Sequence, residues 1–153
     1  VTGKGLGGGM PIGAFTASKN LMHLLAENPK LGHITTFGGH PVIAASALAT
    51  LTEIIESKLM AQTLEKEQLF RKLLVHPLIL EIRGKGLMLA LIMPSEEITN
   101  KVILTSQDQG LILFWLLFEP KAIRITPPLT ISNEEIIKGC SIIIHVLNLI
   151  QQD

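Results

Sequence analysis

The first fourteen residues place a lysine inside a run of glycines, followed by an apolar segment: Val-Thr-Gly-Lys-Gly-Leu-Gly-Gly-Gly-Met-Pro-Ile-Gly-Ala. Five glycines between positions 3 and 9 leave the backbone almost unshielded, so a bulky ligand can lie directly against it. Lys4 sets one amine into that surface, and a lysine made less basic by its site forms a Schiff base with a carbonyl compound. From these residues alone, a catalytic lysine and a solvated lysine in a flexible loop are equal interpretations.

Phosphate binding by the glycine run is a competing interpretation, and the spacing disfavours it. In the phosphate-loop motif the lysine follows the glycines and precedes Ser or Thr, whereas here Lys4 precedes most of the glycines and Met10-Pro11 follows them. The dinucleotide pattern G-x-G-x-x-G fits residues 3–8, but that pattern requires a preceding strand, which residues 1–2 do not supply. The glycine run is therefore only a weak indication of nucleotide binding.

Three further segments have distinctive sequences. They are residues 33–41, His-Ile-Thr-Thr-Phe-Gly-Gly-His-Pro; residues 82–88, Ile-Arg-Gly-Lys-Gly-Leu-Met; and residues 123–131, Ile-Arg-Ile-Thr-Pro-Pro-Leu-Thr-Ile. Together with the segment around Lys4, they resemble the class III, pyridoxal-phosphate-dependent aminotransferases, the group that contains the ornithine, acetylornithine and omega-amino-acid enzymes. The four segments occur in the family's order and extend from one end of the chain to the other.

The resemblance implies an α/β fold, that of the fold type I pyridoxal-phosphate-dependent transferases, of which this chain would be a C-terminal fragment. Residues 1–56 would be a remnant of the cofactor-binding large domain, and residues 57–153 a small α+β C-terminal domain. In the family, an acid that pairs with the cofactor's ring nitrogen, a stacking aromatic residue and a glycine-rich phosphate turn come earlier in the chain. None of these segments is present here, so this polypeptide alone is expected to be inactive.

Residue patterns predict the local structure. The sequence predicts a short buried strand over residues 12–17, a helix over 19–27, and a long helix that begins at residue 42 and continues, either straight or with a bend, to about residue 74. Charged residues of its second half are expected on a solvated face: Glu65, Lys66, Glu67, Arg71 and Lys72. In the remaining part, a Ser-Asn-Glu-Glu capping box begins the last helix and Gly110 ends the preceding one. Strands are predicted over residues 80–83, 87–93, 111–118 and 122–125, which gives one sheet covered by helices.

Three residues would carry the chemistry if the resemblance holds. Lys4 would bind pyridoxal 5'-phosphate covalently and, once the substrate amine displaces it, transfer a proton as the catalytic base. Thr36 would contact the cofactor phosphate of the neighbouring subunit, which makes a homodimer necessary; Thr35 beside it leaves a one-residue ambiguity. Arg124 would bind the substrate carboxylate, because a guanidinium group holds a carboxylate through two parallel hydrogen bonds.

Other polar residues have structural interpretations. His40 stands where the family usually has Asn, and we expect it to cap the helix that follows Pro41. Arg83 and Lys85, on either side of Gly84, are interpreted as the solvated tip of a tight hairpin. The histidines and Cys140 show no metal-ligand spacing, so no metal site is predicted.

Charge and cysteine content narrow the functional class. The net charge is zero, with 13 basic and 13 acidic residues and no basic block, which disfavours nucleic-acid binding. The longest apolar run, residues 111–118, is far short of the roughly 18 residues that a membrane span requires. One cysteine rules out an intrachain disulfide and, without a recognisable leader, favours the cytoplasm.

The sequence therefore predicts an aminotransferase that moves an amino group to 2-oxoglutarate from ornithine, acetylornithine or another omega-amino acid. The alternative is a non-catalytic association module derived from the same fold. The presence of Lys4, Thr36 and Arg124 together favours the interpretation of the parent protein as an enzyme, because a scaffold has no physical need for all three.

Overall fold

The computed structural model describes residues 1–152, and its contacts divide the chain into two compact units. The first unit spans Val1–Lys58 and the second begins at Leu59. The predicted helix from residue 42 to residue 74 is wrong as one element: helix α2 (Pro41–Glu56) ends before Lys58, whose φ is 55°. A left-handed residue cannot continue a right-handed helix, so a new helix has to begin further on. The assignment of residues 1–56 and 57–153 to two domains of a parent enzyme stays a prediction.

The first unit contains little regular structure besides α2. A 3₁₀ turn covers Lys4–Gly7, and α1 (Lys19–His23) is a short helix that ends earlier than predicted, in a series of i→i+3 turns. The predicted strand over residues 12–17 is wrong. Only one antiparallel bridge forms, in which Thr2 and Ala14 exchange two backbone hydrogen bonds of 2.8 Å. Within this unit no further strand is available to pair with the apolar segment, which therefore stays extended and mostly exposed.

The second unit is an antiparallel sheet covered by helices on one face. Its strands are ordered β1-β2-β4-β3, with all neighbouring pairs antiparallel. The strands are β1 (Glu81–Lys85), β2 (Met88–Ile92), β3 (Phe114–Leu116) and β4 (Glu119–Ile125), and the helices are α3 (Thr63–Leu73), α4 (Glu96–Asp108) and α5 (Asn133–Gln152). The sequence predicted this α+β arrangement, although β3 is shorter than the predicted strand.

The core of the second unit lies between the sheet and its helices. Strand residues Leu91 and Ile123 are fully buried, as are helix residues Val102, Ile136 and Leu147. Because successive side chains of a strand point to opposite faces, the residues that alternate with this buried set project from the uncovered face of the sheet. The alternation along each strand thus determines which side chains lie on the uncovered face and can contact a ligand.

The predicted capping box forms at the start of α5. The backbone N–H of Glu135 donates to the Ser132 hydroxyl at 3.2 Å, and the Glu135 carboxylate accepts from the N–H of Ser132 at 2.8 Å. Two backbone donors that the helix itself leaves without partners are satisfied reciprocally in this way. The cap fixes where the loop after β4 ends.

The hairpin between β1 and β2 is held by an ion pair on α3. Arg71 donates to the carbonyl oxygens of Ile82 (2.7 Å) and Gly84 (3.0 Å), and its Nε lies 2.8 Å from Glu67. The other carboxylate oxygen of Glu67 accepts from the N–H of Gly86. Both contacts lower the pKa of Glu67, and the hydrogen bond from the Gly86 N–H has a larger effect than the one from Arg71. Helix α3 therefore fixes the course of the glycine-rich hairpin.

Gly84 cannot accept a side chain, and this gives a testable expectation. Its φ is 111°, and a Cβ there would lie 2.0 Å from the Met88 carbonyl oxygen. We expect Gly84→Ala to destabilise the protein by about 3 kcal/mol or more, measured by thermal or denaturant unfolding. Gly110→Ala is the matched control, because Gly110 has φ 81° but open space around its Cβ position. A loss at Gly84 no larger than the loss at Gly110 would contradict the clash.

Cys140 lies on the buried face of α5, only 2% exposed, and its burial raises the pKa of the thiol to about 12. The thiolate is the reactive form of cysteine. We therefore expect alkylation of Cys140 at pH 8 to be about 10³-fold slower in the folded protein than after denaturation. Mass spectrometry of iodoacetamide-treated protein measures the two rates, and equal rates would contradict this burial.

Candidate functional site

Lys4 lies exposed at the start of the first 3₁₀ turn, in a strained backbone conformation. Its φ is 51°, in the left-handed region, which costs a residue with a side chain roughly 1–2 kcal/mol. Among the described residues, no acidic group forms an ion pair with its amine. Strain of this kind persists where surrounding structure imposes it and is concentrated at functional sites. The turn presents the Lys4 amine to solvent.

The turn is fixed to helix α2 by small residues. The Ser46 hydroxyl donates to the carbonyl of Gly7 at 2.6 Å, and Gly7 itself is buried. Gly8 follows with φ 55°, and a Cβ there would lie 2.3 Å from the Thr50 hydroxyl oxygen. The glycines therefore allow the turn to lie directly on α2, and this contact holds the backbone that carries Lys4.

The second segment of the resemblance forms two tight turns. The backbone N–H of Gly38 donates to the carbonyl of Thr35 at 3.2 Å, and the backbone N–H of His40 donates to the carbonyl of Phe37 at 3.2 Å. His40 occupies the N-cap position of α2, but its side chain makes no capping hydrogen bond, so the expected side-chain cap is wrong. The helix instead begins with Pro41, whose fixed φ suits the first helical position.

A cleft of about 380 Å³ lies between these turns and the segment after the lysine turn. Pocket volumes of this order are typical of sites for small molecules and cofactors. Thr35 lines the cleft, whereas Lys4 and Thr36 lie outside its lining. The cleft is lined by residues 11–14, 35, 37–40, 43 and 44.

The donors at this cleft are suited to a phosphate group. Gly39 has φ 73° with open space around its Cβ position, and its N–H makes no backbone hydrogen bond with the described residues. The same turn includes Thr35, a hydroxyl-bearing residue that lines the cleft, and Thr36, which lies outside its lining. Free backbone N–H groups beside hydroxyls bind phosphate oxygens. The residues present therefore fit a phosphorylated cofactor, and the choice between the two threonines stays a prediction.

Arg124 lies on β4 and projects from the uncovered face of the sheet. Its guanidinium carbon lies 4.8 Å from the centre of the Phe114 ring on the neighbouring strand. Such a contact orients the cation and stabilises it by about 0.5–1 kcal/mol at an exposed site. None of the ion pairs among the described residues includes Arg124. Its hydrogen-bonding groups are thus available to a ligand.

Lys66 supports the segment that follows Arg124. The prediction that it lies on the solvated face of the long helix is wrong, because Lys66 is only 7% exposed and its amine donates to the carbonyl of Leu129 at 2.9 Å. Pro127 and Pro128 stiffen the backbone between Arg124 and that anchor. The contacts of Lys66 and Phe114 depend on residues distant in the chain, so no local pattern pointed to them.

Two clefts open beside Arg124 in the second unit. One, of about 330 Å³, is mostly apolar and includes Phe114, Ile125 and Gly139. The other, of about 150 Å³, includes Arg83, Ala90 and Thr126. Arg124 borders both clefts and can bind an anionic group in either one.

A family model for class-III aminotransferases matches residues 1–147 of this chain. The chain therefore belongs to the class III aminotransferase family, and the family predicted from the four segments is confirmed.

Among solved structures, the chain is similar to the ornithine aminotransferase of Toxoplasma gondii, with 30% identity, a TM-score of 0.84, and coverage of 98% of this chain and 36% of that chain. That structure shows partial occupancy of pyridoxal phosphate at its active site. The chain is also similar to the ornithine delta-aminotransferase of Plasmodium falciparum (30% identity, TM-score 0.81, 99% and 39% coverage). An aminotransferase of Bacillus anthracis matches with 27% identity, a TM-score of 0.69, and 80% and 31% coverage.

These comparisons confirm the predicted fold class, an α/β fold of type I with a small α+β part at its C-terminal end. This chain spans a little over a third of the length of the two ornithine aminotransferases. Among the described residues, no helix is both long and apolar enough to cross a membrane. The same residues contain no group of three or more metal-ligating side chains suited to a metal ion.

Proposed function

We propose that the protein containing this chain transfers an amino group from ornithine, acetylornithine or another omega-amino acid to 2-oxoglutarate with the help of pyridoxal phosphate. The observation that carries the proposal is the exposed Lys4 amine on its strained, glycine-built turn, in a chain that belongs to the class III aminotransferases. Because the chain spans only part of its relatives, the activity, substrates and partners of the whole protein are all included in the proposal.

Lys4 would hold the cofactor covalently, and Thr36 with the backbone N–H groups of its turn would hold the phosphate of the cofactor bound to the neighbouring subunit. When bound, pyridoxal phosphate supplies the electron-withdrawing ring that stabilises negative charge on the substrate carbon. The remaining chemistry belongs to Lys4. Its amine, once free, accepts the proton from the substrate carbon that bears the amino group and later returns a proton. The strained backbone restricts where that amine can move.

Arg124 would hold the substrate carboxylate. A guanidinium group forms two parallel hydrogen bonds with a carboxylate, which fixes both the distance and the orientation of the substrate. Phe114 stacks on the guanidinium and limits its rotation, and Lys66 supports the loop beyond it. This arrangement favours substrates that carry a carboxylate.

A homodimer in the cytoplasm is part of the proposal. In the family that the sequence resembles, the threonine at the position of Thr36 reaches the cofactor phosphate of the neighbouring subunit. Large apolar side chains of the first unit are exposed, among them Phe37 (72%) and Leu48 (67%), as expected of surfaces that another polypeptide segment covers.

Chemical trapping tests the assignment of Lys4 directly. The protein is incubated with pyridoxal phosphate, reduced with borohydride, digested and examined by mass spectrometry. We expect the reduced cofactor on the peptide that contains Lys4, together with visible absorbance of the loaded protein before reduction. Modification spread evenly over the exposed Lys19, Lys30 and Lys58 would contradict the proposal.

The non-catalytic association module remains the second candidate, favoured by the exposed apolar residues of the first unit. It predicts that no lysine is modified selectively and that the protein still self-associates. Trapping combined with sedimentation analysis separates the two candidates, because only the enzyme requires a selective adduct at Lys4.

A further inference from the structure

The mostly apolar cleft of about 330 Å³ in the second unit has a wall of core residues. Ile136 and Ile143 of α5 and Phe70 of α3, all buried, line it from the helix side. Phe114 of β3 lines it from the sheet. Clefts of this size that are largely apolar and carry a few polar groups are typical sites for small ligands. The cleft therefore has the composition of a site for a molecule with an apolar part.

Gly139 lies at this cleft, in the interior of the 20-residue helix α5. Glycine is one of the least favourable residues inside a helix, because it loses the most backbone freedom on folding. Packing does not require it here, since an added Cβ would meet only the Cδ1 atom of Leu111, at the ordinary contact distance of 3.8 Å. The missing side chain does widen the cleft. Gly139 thus keeps open a space that alanine or a larger residue would reduce.

The charged residues of the lining favour an anionic head group. Arg124 is the only cationic residue of the lining, and none of the ion pairs among the described residues includes it. Glu135 is the other charged residue there, but its carboxylate already accepts from the N–H of Ser132 at 2.8 Å. The start of a helix stabilises negative charge, which reduces the repulsion of a second anion. The cleft thus combines an apolar wall with one available cation.

We propose that this cleft binds a monocarboxylic acid with an apolar chain, with the carboxylate on Arg124 and the chain against Phe114 and Gly139. Burial of the chain supplies affinity that grows with its length, and the guanidinium group holds the carboxylate through two hydrogen bonds. Such binding requires neither pyridoxal phosphate nor amino transfer, so it goes beyond the proposed function and can hold or fail independently of it. If both hold, the acid competes with the substrate carboxylate for Arg124.

Isothermal titration calorimetry of the protein that contains this chain tests the proposal with octanoate, octanol and acetate. Octanol keeps the chain but lacks the carboxylate, and acetate keeps the carboxylate but lacks most of the chain. We expect octanoate to bind at least about tenfold more tightly than either. From butanoate towards octanoate, each added methylene tightens binding about threefold to fourfold until the cleft is filled. No binding of octanoate, equal affinity for octanol, or no rise with chain length would overturn the proposal.

Variants on α5 test whether the cleft is the binding site. Gly139→Leu fills the cleft, and we expect it to weaken octanoate binding at least about tenfold. Ser141→Leu is the matched control, because it adds the same side chain at an exposed position of the same helix, and it should leave the affinity unchanged. Equal affinities of the two variants for octanoate would show that the acid does not bind in this cleft.

Arg124→Gln tests the head group separately from the chain. We expect this variant to bind octanoate about tenfold more weakly and octanol as tightly as the unmodified protein does. A general loss of structure would weaken both probes, so the contrast between them reports on Arg124 alone. If Arg124→Gln weakens both probes equally, or neither, the carboxylate does not bind Arg124 and the proposal is wrong.

Discussion

Lys4→Ala is expected to reduce amino transfer by the enzyme containing this chain by at least about 10³-fold, the largest effect of any substitution in the chain. The variant loses both the covalent attachment point of the cofactor and the base that moves the substrate proton. We expect it to lose the visible absorbance of the cofactor-bound amine as well. Assays with ornithine and 2-oxoglutarate, together with absorbance spectra of the same samples, measure both losses.

Lys58→Ala is the matched control for this substitution. Lys58 is also exposed, lies in the same unit and has nearly the same positive φ, 55° against 51° for Lys4. The two variants therefore share the loss of one charge and keep the same backbone strain. Activity that falls equally in both variants, or that survives in Lys4→Ala, would contradict the catalytic assignment.

The second unit was largely predictable because its signals are local. The capping box at Ser132 and Glu135 needs only four consecutive residues, and the structure confirms it. The hairpin follows from Gly84 and Gly86, which adopt positive φ where a side chain would be strained. Gly110 likewise ends α4 as its position indicated. In each case the residue that decides the local structure is itself part of the pattern.

The first unit was less predictable because its structure depends on distant partners. The apolar residues 12–17 indicated a strand, yet a strand requires a neighbour, and Thr2 supplies a single bridge to Ala14. The break after α2 depends on the positive φ of Lys58, which has no sequence signature in a lysine. Periodicity therefore identified α2 but not its end.

The residues of the candidate site show the same contrast between local signals, which the sequence reveals, and distant contacts, which it does not. Lys4 and Arg124 were found because their neighbours, the glycines and the Pro-Pro pair, define distinctive segments. Lys66 was misplaced because its partner, Leu129, lies 63 residues away, and a charged residue in a helix ordinarily faces solvent. The alignment of Arg83 with Arg124 requires the register of three strands. Residue chemistry can thus be read from sequence, whereas the relation between separated segments requires the fold.

Arg124→Gln is expected to lower kcat/KM for 2-oxoglutarate by about 10²-fold, mainly through a higher KM. Two hydrogen bonds to a carboxylate are lost, worth about 3 kcal/mol together when one partner is charged. Arg124→Lys keeps the charge but loses the planar fork and the stacking on Phe114, so it should recover only part of the loss. Initial-rate measurements over a range of acceptor concentrations give both constants for each variant.

Two controls decide whether the effect comes from carboxylate binding. Lys121→Gln removes another exposed cation of the same strand, three residues before Arg124, and should leave kcat/KM unchanged. A primary amine donor without a carboxylate should react in the first half-reaction at the same rate in Arg124→Gln as in the unmodified enzyme, because it has no group for Arg124 to hold. If that rate falls as far as the rate with 2-oxoglutarate, Arg124 supports the fold of β4 and its loop rather than the substrate, and the carboxylate site must lie elsewhere.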